Sequence, residues 1–179
     1  MNAKKLMKQA AYACVTQQYV EKVTLRDILA RAEVSKQTFY RYYTDKYDLM
    51  NDIYAELTQE GIIEACKIKN GDDWRAMYLK QFGIFQEHLD FIKHLYRSRE
   101  TGCTTDFEIE CTVRFDKEYL KQCGVDVTDP RIMFAIEAKD VGGTYMMRDW
   151  ILGGMQVSDS EMVTRFQLII PQLLVPYFT

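Results

Sequence analysis

Residues 34–49 read VSKQTFYRYYTDKYDL, sixteen positions that hold five aromatic side chains and three cations. Lys36 and Arg41 carry donors that fit O6 and N7 of guanine, and the Gln37 amide can pair with N6 and N7 of adenine. Tyr40 can give its hydroxyl to a phosphate or lay its ring on a thymine methyl, and Lys46 suits a phosphate. Phosphate contacts set register and base-edge contacts select sequence. At about 100° per residue from Lys36, the side chains of Lys36, Tyr40, Gln37 and Arg41 fall at about 0°, 40°, 100° and 140°. Tyr42, Phe39 and Tyr43 fall at about 240°, 300° and 340°. One face is therefore cationic, amide and phenolic and the other aromatic, so the segment reads as both core and contact surface. A helical hairpin whose aromatics only pack would share this composition.

Helix signals run through the chain, and no stretch alternates long enough for a strand. The sequence predicts an all-α protein of about nine helices. The first covers about residues 3–19, with Leu6, Ala10 and Ala13 inward. Thr24 and Asp27 form a capping box for a short helix whose Leu25, Ile28, Leu29 and Ala32 make an inward stripe. Ser35 caps a second short helix through Tyr43. Asp45 and Asp48 open a long helix over about 46–67, which Asn70-Gly71 closes. Asp72 starts a helix with Trp74, Met77, Tyr78, Gln81, Phe82 and Phe85 on one face. Further helices are expected over about 90–99, 105–122 and 130–152, the last with Asp129 as cap and Pro130 in its first turn. Ser158 and Glu161 cap a final helix toward Phe178, kinked or interrupted at Pro171.

Two short helices joined by a tight turn after a longer one describe a helix-turn-helix. The segment VTLRDILARAEVSKQTFYRYYTDKYDLMNDIY resembles the N-terminal DNA-binding domain of TetR/AcrR-type transcriptional regulators. Thr24, Ile28, Ala32, Val34, Ser35, Tyr40, Lys46 and Leu49 match that family's pattern in order and spacing. The resemblance implies a DNA-binding domain over residues 1–48 and an effector-binding and dimerisation domain over 49–179. It places Ser35, Lys36, Gln37, Thr38, Tyr40, Arg41 and Tyr42 at the recognition helix, Lys46 at a phosphate and Thr24 at the DNA backbone. Two positions depart from the pattern. Glu33 stands where the family has glycine in the turn, at a strain of about 1 kcal/mol if its φ is positive. Tyr43 replaces phenylalanine.

EAKDVGGTYMMRDWILGGMQVSDSEMVTRFQLIIPQLL resembles the family's C-terminal end, whose last two long helices pair across a two-fold axis. That resemblance implies a homodimer, with Gly142, Gly143, Met147, Phe166 and Ile170 as interface candidates. A kink of the helix against its own core would explain the glycine pair equally. EHLDFIKHLYRS, with the Gly-Gly and Trp-Ile pattern that follows, is similar to a subgroup that includes regulators of dihydroxyacetone kinase. Trp74, Tyr78, Phe82, Phe85, Phe107, Phe115, Tyr119, Tyr145, Met146 and Trp150 could line an effector pocket, or simply fill a core. No charged constellation in the sequence names the ligand.

The remaining features narrow the function classes. Net charge is −3, but residues 1–50 carry nine Lys/Arg against five Asp/Glu, and the rest fourteen against twenty-one. A basic first third on an acidic body suits a local nucleic-acid contact. No apolar run reaches the roughly 18–20 residues of a membrane helix. The basic N-terminus reads as helix rather than leader, because Lys8 and Gln9 break its apolar stretch. The five cysteines, Cys14, Cys66, Cys103, Cys111 and Cys123, form no C-x-x-C pair and fit a reducing cytoplasm. His88 and His94, six positions apart, share no helical face, so neither a metal site nor a cofactor is expected. No nucleophile motif or phosphate loop supports catalysis.

The expectation is a dimeric, cytoplasmic regulator, most simply a repressor, that binds a palindromic double-stranded DNA operator and answers to an unknown small-molecule effector. A helical adaptor of the same fold, acting through a protein partner, remains the alternative that Glu33 and the acidic body favour. A small-molecule carrier or enzyme using only the pocket is a third.

Overall fold

The computed structural model describes residues 2–65 and 71–178, with side chains placed outside 59–72. Among these residues every regular element is helical. The helices are α1 (Ala3–Gln17), α2 (Leu25–Ala32), α3 (Lys36–Phe39), α4 (Lys46–Ala65), α5 (Gly71–Glu87), α6 (Leu89–Tyr96), α7 (Thr104–Gln122), α8 (Pro130–Leu152), α9 (Asp159–Leu168) and α10 (Val175–Phe178). Ten helices replace the expected nine because the last one is broken. Pro171 lacks an N–H and ends the run, and α10 restarts four residues later. The turn expected at Asn70, the predicted end of α4 at about residue 67 and Cys66 lie outside the described residues.

The predicted caps set the boundaries. Thr24 Oγ1 accepts from the Asp27 N–H at 3.2 Å, while Asp27 Oδ2 accepts from the Thr24 N–H at 3.1 Å. Ser35 accepts from the Thr38 N–H at 3.1 Å, Asp129 from the Arg131 N–H at 2.8 Å and Ser158 from the Glu161 N–H at 3.2 Å. Each satisfies one N–H that a helix start leaves unpaired.

The chain packs as two compact units, residues 1–57 with 85–107 and residues 58–84 with 108–179. In the first, Met7, Ala11 and Val15 of α1, Ile28 of α2 and Phe39 of α3 are fully buried. Phe91, Ile92 and Leu95 of α6 complete this core, and Tyr12 stacks on Phe91 at 4.6 Å between ring centres. His88 Nδ1 lies 2.9 Å from the Tyr12 hydroxyl, and His94 bonds the Val15 carbonyl. The predicted histidines thus dock α6 on α1. In the second unit, Trp74, Leu120, Ile136, Leu174 and Phe178 form the core, with the Phe178 ring 4.8 Å from Trp74.

Tyr43 is buried, and its hydroxyl reaches a protein partner rather than water. It donates to Asp52 Oδ2 at 2.7 Å, and the same oxygen takes Lys4 at 3.0 Å and Lys8 at 2.9 Å. Lys8 also binds Glu56 at 2.7 Å. The position where the family has phenylalanine is therefore the centre of a polar clasp joining α1, the segment after α3 and α4. Burial alone would raise the Asp52 carboxyl, but the donors from Lys8, Tyr43 and Lys4 outweigh it and hold it below the ordinary carboxylate range. A depressed carboxylate stabilises the fold above its unfolded pKa, and that contribution is lost as pH falls through the folded value. Asp52→Asn is expected to lower unfolding stability by about 1–2 kcal/mol at neutral pH. Denaturant titrations should show the deficit shrinking below about pH 4.

Candidate nucleic-acid interface and effector cavity

The turn between α2 and α3 brings the first candidate surface into place. Glu33 adopts φ 53° and ψ 41°, the left-handed conformation that glycine supplies in the related pattern. Its N–H bonds the Ala30 carbonyl at 3.4 Å, and the Val34 N–H reaches back to Leu29 at 3.2 Å. This six-to-one closure is a Schellman ending, and it turns the chain sharply at a strain of about 1 kcal/mol for a non-glycine residue.

Ser35 then caps a regular helix of only four residues, shorter than the Ser35–Tyr43 helix expected. Beyond Tyr40 the hydrogen bonds tighten, with the Arg41 N–H on Thr38 at 3.3 Å and the Tyr42 N–H on Phe39 at 2.9 Å. The three-residue spacing advances a side chain further round the axis than 100°, so the projection fails at Tyr42, while the Tyr43 N–H returns to the Phe39 carbonyl four residues back at 3.1 Å. Tyr42, inward by the projection but at the recognition surface by the resemblance, is 44% exposed. Phe39 and Tyr43 are buried as expected.

Lys36, Gln37, Tyr40, Arg41 and Tyr42 form an exposed row around buried Phe39, with Ser35 exposed and Thr38 half-buried beside them. Two cations lie over neighbouring rings, Lys36 at 5.8 Å from Tyr40 and Arg41 at 5.5 Å from Tyr42. These contacts hold donors and rings together at the surface at little cost.

The two remaining predicted contacts have structural duties. The Thr24 hydroxyl is engaged with Asp27 Oδ2 at 2.6 Å. The Lys46 ammonium is half-buried and donates to the carbonyls of Val20 at 2.8 Å, Val23 at 2.9 Å and Glu21 at 3.4 Å. It ties the loop before α2 to the start of α4. Burial, the largest influence, draws its pKa down against the pull of Glu21. Pattern reading placed Lys46 correctly in the first turn but could not see carbonyls more than twenty residues away.

The predicted pocket residues separate. Trp74 and Tyr78 line a cavity of about 60 Å³ in the second unit, with Glu108, Lys139, Asp140, Gly143, Thr144, Phe166, Ile170 and Phe178 among its walls. Phe82 and Trp150 pack at 4.8 Å, and Phe115 and Tyr119 surround Trp74. Phe85 and Phe107 belong to the first unit, where both face Tyr54. Met146 is half-buried, and Tyr145 stands on the exposed face of α8.

Among the interface candidates, Gly142 is exposed, but Gly143, Met147 and Phe166 are buried within the unit and Ile170 lines the cavity. A β-carbon at Gly143 would lie 3.5 Å from the Phe166 ring, an ordinary contact, so α8 meets α9 here without requiring a glycine. Among the described residues of the second unit, the exposed large apolar side chains are instead Phe134, Val141, Tyr145 and Leu152 of α8, with Leu168 and Leu173 beyond it.

The cavity also holds a charged group that sequence reading missed. Lys139 Nζ lies 2.6 Å from Asp116 Oδ2 and 2.6 Å from Asp140 Oδ1, all three side chains nearly excluded from solvent. Burial first, then Asp116, pushes the Asp140 carboxyl up to about 7 against the pull of Lys139. Asp116 rises for the same first reason. Lys139 is held above its ordinary value, because Asp116, Tyr78 and Asp140 overcome its burial. The available signal was an adjacent Lys-Asp pair in the middle of a helix whose neighbouring buried positions include Ala135, Ile136, Gly143 and Met147.

No helix among the described residues is long and apolar enough to cross a membrane. No group of metal-binding side chains occurs among them either. Residues 9–53 match bacterial regulatory proteins of the tetR family, and residues 72–172 match a transcriptional regulator C-terminal region. No curated protein matches the chain. The fold is similar to that of a TetR-family transcriptional regulator from Syntrophomonas wolfei, at 18% identity and a TM-score of 0.60 over 97% of each chain. It also resembles the dihydroxyacetone kinase operon activator DhaS, at 15% identity and a TM-score of 0.57, covering 98% of this chain and 96% of that one. SmeT, repressor of the Stenotrophomonas maltophilia multidrug efflux pump SmeDEF, gives 16% identity and 0.57 over 97% and 89%. With both parts of the chain matched and the helix-turn-helix in place, this protein belongs to the TetR family of DNA-binding transcriptional regulators.

Proposed function

We propose that the chain is a homodimeric repressor that reads a palindromic operator and is released by a small molecule. Residues 1–48 are assigned to DNA and 49–179 to effector and partner subunit. The exposed row Lys36, Gln37, Tyr40, Arg41 and Tyr42, seated on buried Phe39, carries this reading. Arg41 and Gln37 are assigned to base edges, Tyr40 and Lys36 to phosphate, and Ser35, Thr38 and Tyr42 to positions beside them. Thr24 and Lys46 act by holding the neighbouring loop, with any phosphate contact through Lys46 sharing its ammonium with that loop.

A dimer is supported by α8. Phe134, Ala138, Val141, Tyr145 and Leu152 fall within a sector of about 60° at about 100° per residue, and all five are exposed. Gly142 beside them admits close helix approach. A two-fold pair would present two recognition helices to successive major grooves, about 34–36 Å apart. The aromatic cavity supports the effector. A second reading, an adaptor with weak DNA binding, rests on Glu33, which sets a carboxylate in the turn next to the recognition helix.

Fluorescence anisotropy with DNA from the chain's own upstream region tests the first reading. Affinity should fall steeply with salt, by about 10³-fold or more between 50 and 200 mM. Tyr40→Ala should weaken binding to every sequence, and Arg41→Ala should also relax base preference by about 1–3 kcal/mol. Salt-independent binding, or no effect of either change, would favour the adaptor.

Lys46→Ala should lower thermal stability as well as affinity, since it frees three carbonyls. Equal melting with reduced affinity would return Lys46 to a purely phosphate-binding role. Phe134→Asp with Tyr145→Asp should give a monomer in sedimentation with helicity retained, because two charges would enter an apolar interface core. An unchanged dimer would place the interface elsewhere.

A further inference from the structure

The cavity in the second unit has aromatic walls and an unusual floor. Trp74, Tyr78, Phe166 and Phe178 supply the rings. Beneath them are Lys139, Asp140 and Glu108, all buried, with Asp116 against Lys139. Thr112 and Thr144 also line the space, as does Arg75, whose guanidinium is turned to Ser160. At the floor one ammonium, that of Lys139, therefore meets two aspartate carboxyls. Asp140 Oδ1 is taken by Lys139, but Asp140 Oδ2 is buried and accepts no hydrogen bond from any described residue.

We propose that this cavity is a site for an organic cation, a primary ammonium whose head group donates to Asp140 and lies among the rings of Trp74, Tyr78, Phe166 and Phe178. The inference rests on the effector reading and adds to it the charge of the ligand. Two features of the cavity lead to it.

Charge balance is the first. An ionised carboxylate without a donor in a dry site is expensive, and the site neutralises itself with a proton or with a cation from outside. Lys139 cannot serve both aspartates fully, and Asp116, facing Asp140 from α7, makes its ionisation harder still. The second feature is the wall. Trp, Tyr and Phe faces attract a cation through their ring quadrupoles, most strongly where water is excluded. Lys139 already shows such a contact, 5.0 Å from the Phe178 ring centre. A volume of about 60 Å³ holds an ammonium group with its first carbons.

The cation and the proton compete for the same carboxyl pair. Ligand entry therefore releases a proton, which passes to buffer. The groups facing Asp140 are Lys139 on its own helix, Asp116 on α7 and Tyr78 on α5, with Glu108 of α7 lining the same cavity beside Tyr78. Tyr78, pushed up to about 12 chiefly by burial, stays neutral. Lys139 stays charged. The proton thus comes from the aspartates, and affinity rises with pH until the pair is ionised.

Isothermal titration of the full chain with n-butylammonium chloride, 1-butanol and glycerol tests this. The ammonium should bind about tenfold or more tightly than 1-butanol of the same length. Its affinity should rise with pH through about 7, and its heat should vary with the buffer's ionisation enthalpy. Asp140→Asn should erase the preference for the cation. Operator anisotropy is followed in parallel. If 1-butanol or glycerol binds as well as the ammonium, or the preference survives in Asp140→Asn with an unchanged melting temperature, the cation inference is overturned and the effector cavity stands. If none of the three binds while operator binding is intact, the cation inference is overturned and the cavity no longer supports an effector site.

Discussion

The burial of Phe39 is the contact on which the proposed DNA-reading surface depends. An isolated helix of four residues is far too short to hold itself, since nucleation fixes several dihedrals for a single hydrogen bond. α3 exists because Phe39, fully buried, anchors it and the Ser35 cap and the Glu33 turn fix its entry. Everything exposed around Phe39 inherits its direction from that one ring. Tyr43 repeats the anchoring four residues on, at its own cost. A buried phenol needs an acceptor, and Asp52 supplies one while also receiving Lys4 and Lys8. The clasp converts a departure from the family's phenylalanine into a cross-link between the first helix and the fourth.

Both units place charge where burial makes it matter, with opposite results. At Asp52 the donors outnumber the acceptor and the carboxyl is held low. At Lys139 two carboxyls share one ammonium, and Asp140 is pushed up. The first arrangement is satisfied and structural. The second leaves a buried oxygen without a donor, which costs about 1–3 kcal/mol if nothing fills it. Natural interiors rarely retain such an atom without reason.

Local signals carried most of the fold into the sequence. Thr24, Ser35, Asp129 and Ser158 all cap where their residue types and spacing place them, because capping is a contact across three or fewer residues. The inward positions Ile28, Phe39 and Phe82 follow from helical period alone. What was not legible required contacts distant in sequence or a change of helical pitch. Tyr42, which the resemblance but not the helical projection set at the surface, turned outward because the hydrogen bonds after Tyr40 tighten. Lys46 met carbonyls of Val20 and Val23, and Lys139 met Asp116, twenty-three positions away. The pocket aromatics dispersed for a similar reason: ring content marks what is buried, not which rings surround a space.

α8 shows how a ligand could act on the assembly through a single rigid element. Its outward sector carries Phe134, Val141 and Tyr145, and its opposite face carries Lys139, Asp140, Gly143 and Thr144 at the cavity. Any ligand that occupies the cavity pushes or draws on the same helix that would meet the partner subunit. Occupancy alone is not enough, since an effector shifts an equilibrium only by its difference in affinity between the two arrangements. A coupling of about 1–3 kcal/mol, typical of such regulators, is within what one buried charge–charge contact can contribute. A site whose neutrality depends on a proton or a cation is suited to that task, because the two occupants differ in size and in the geometry they impose on Asp140.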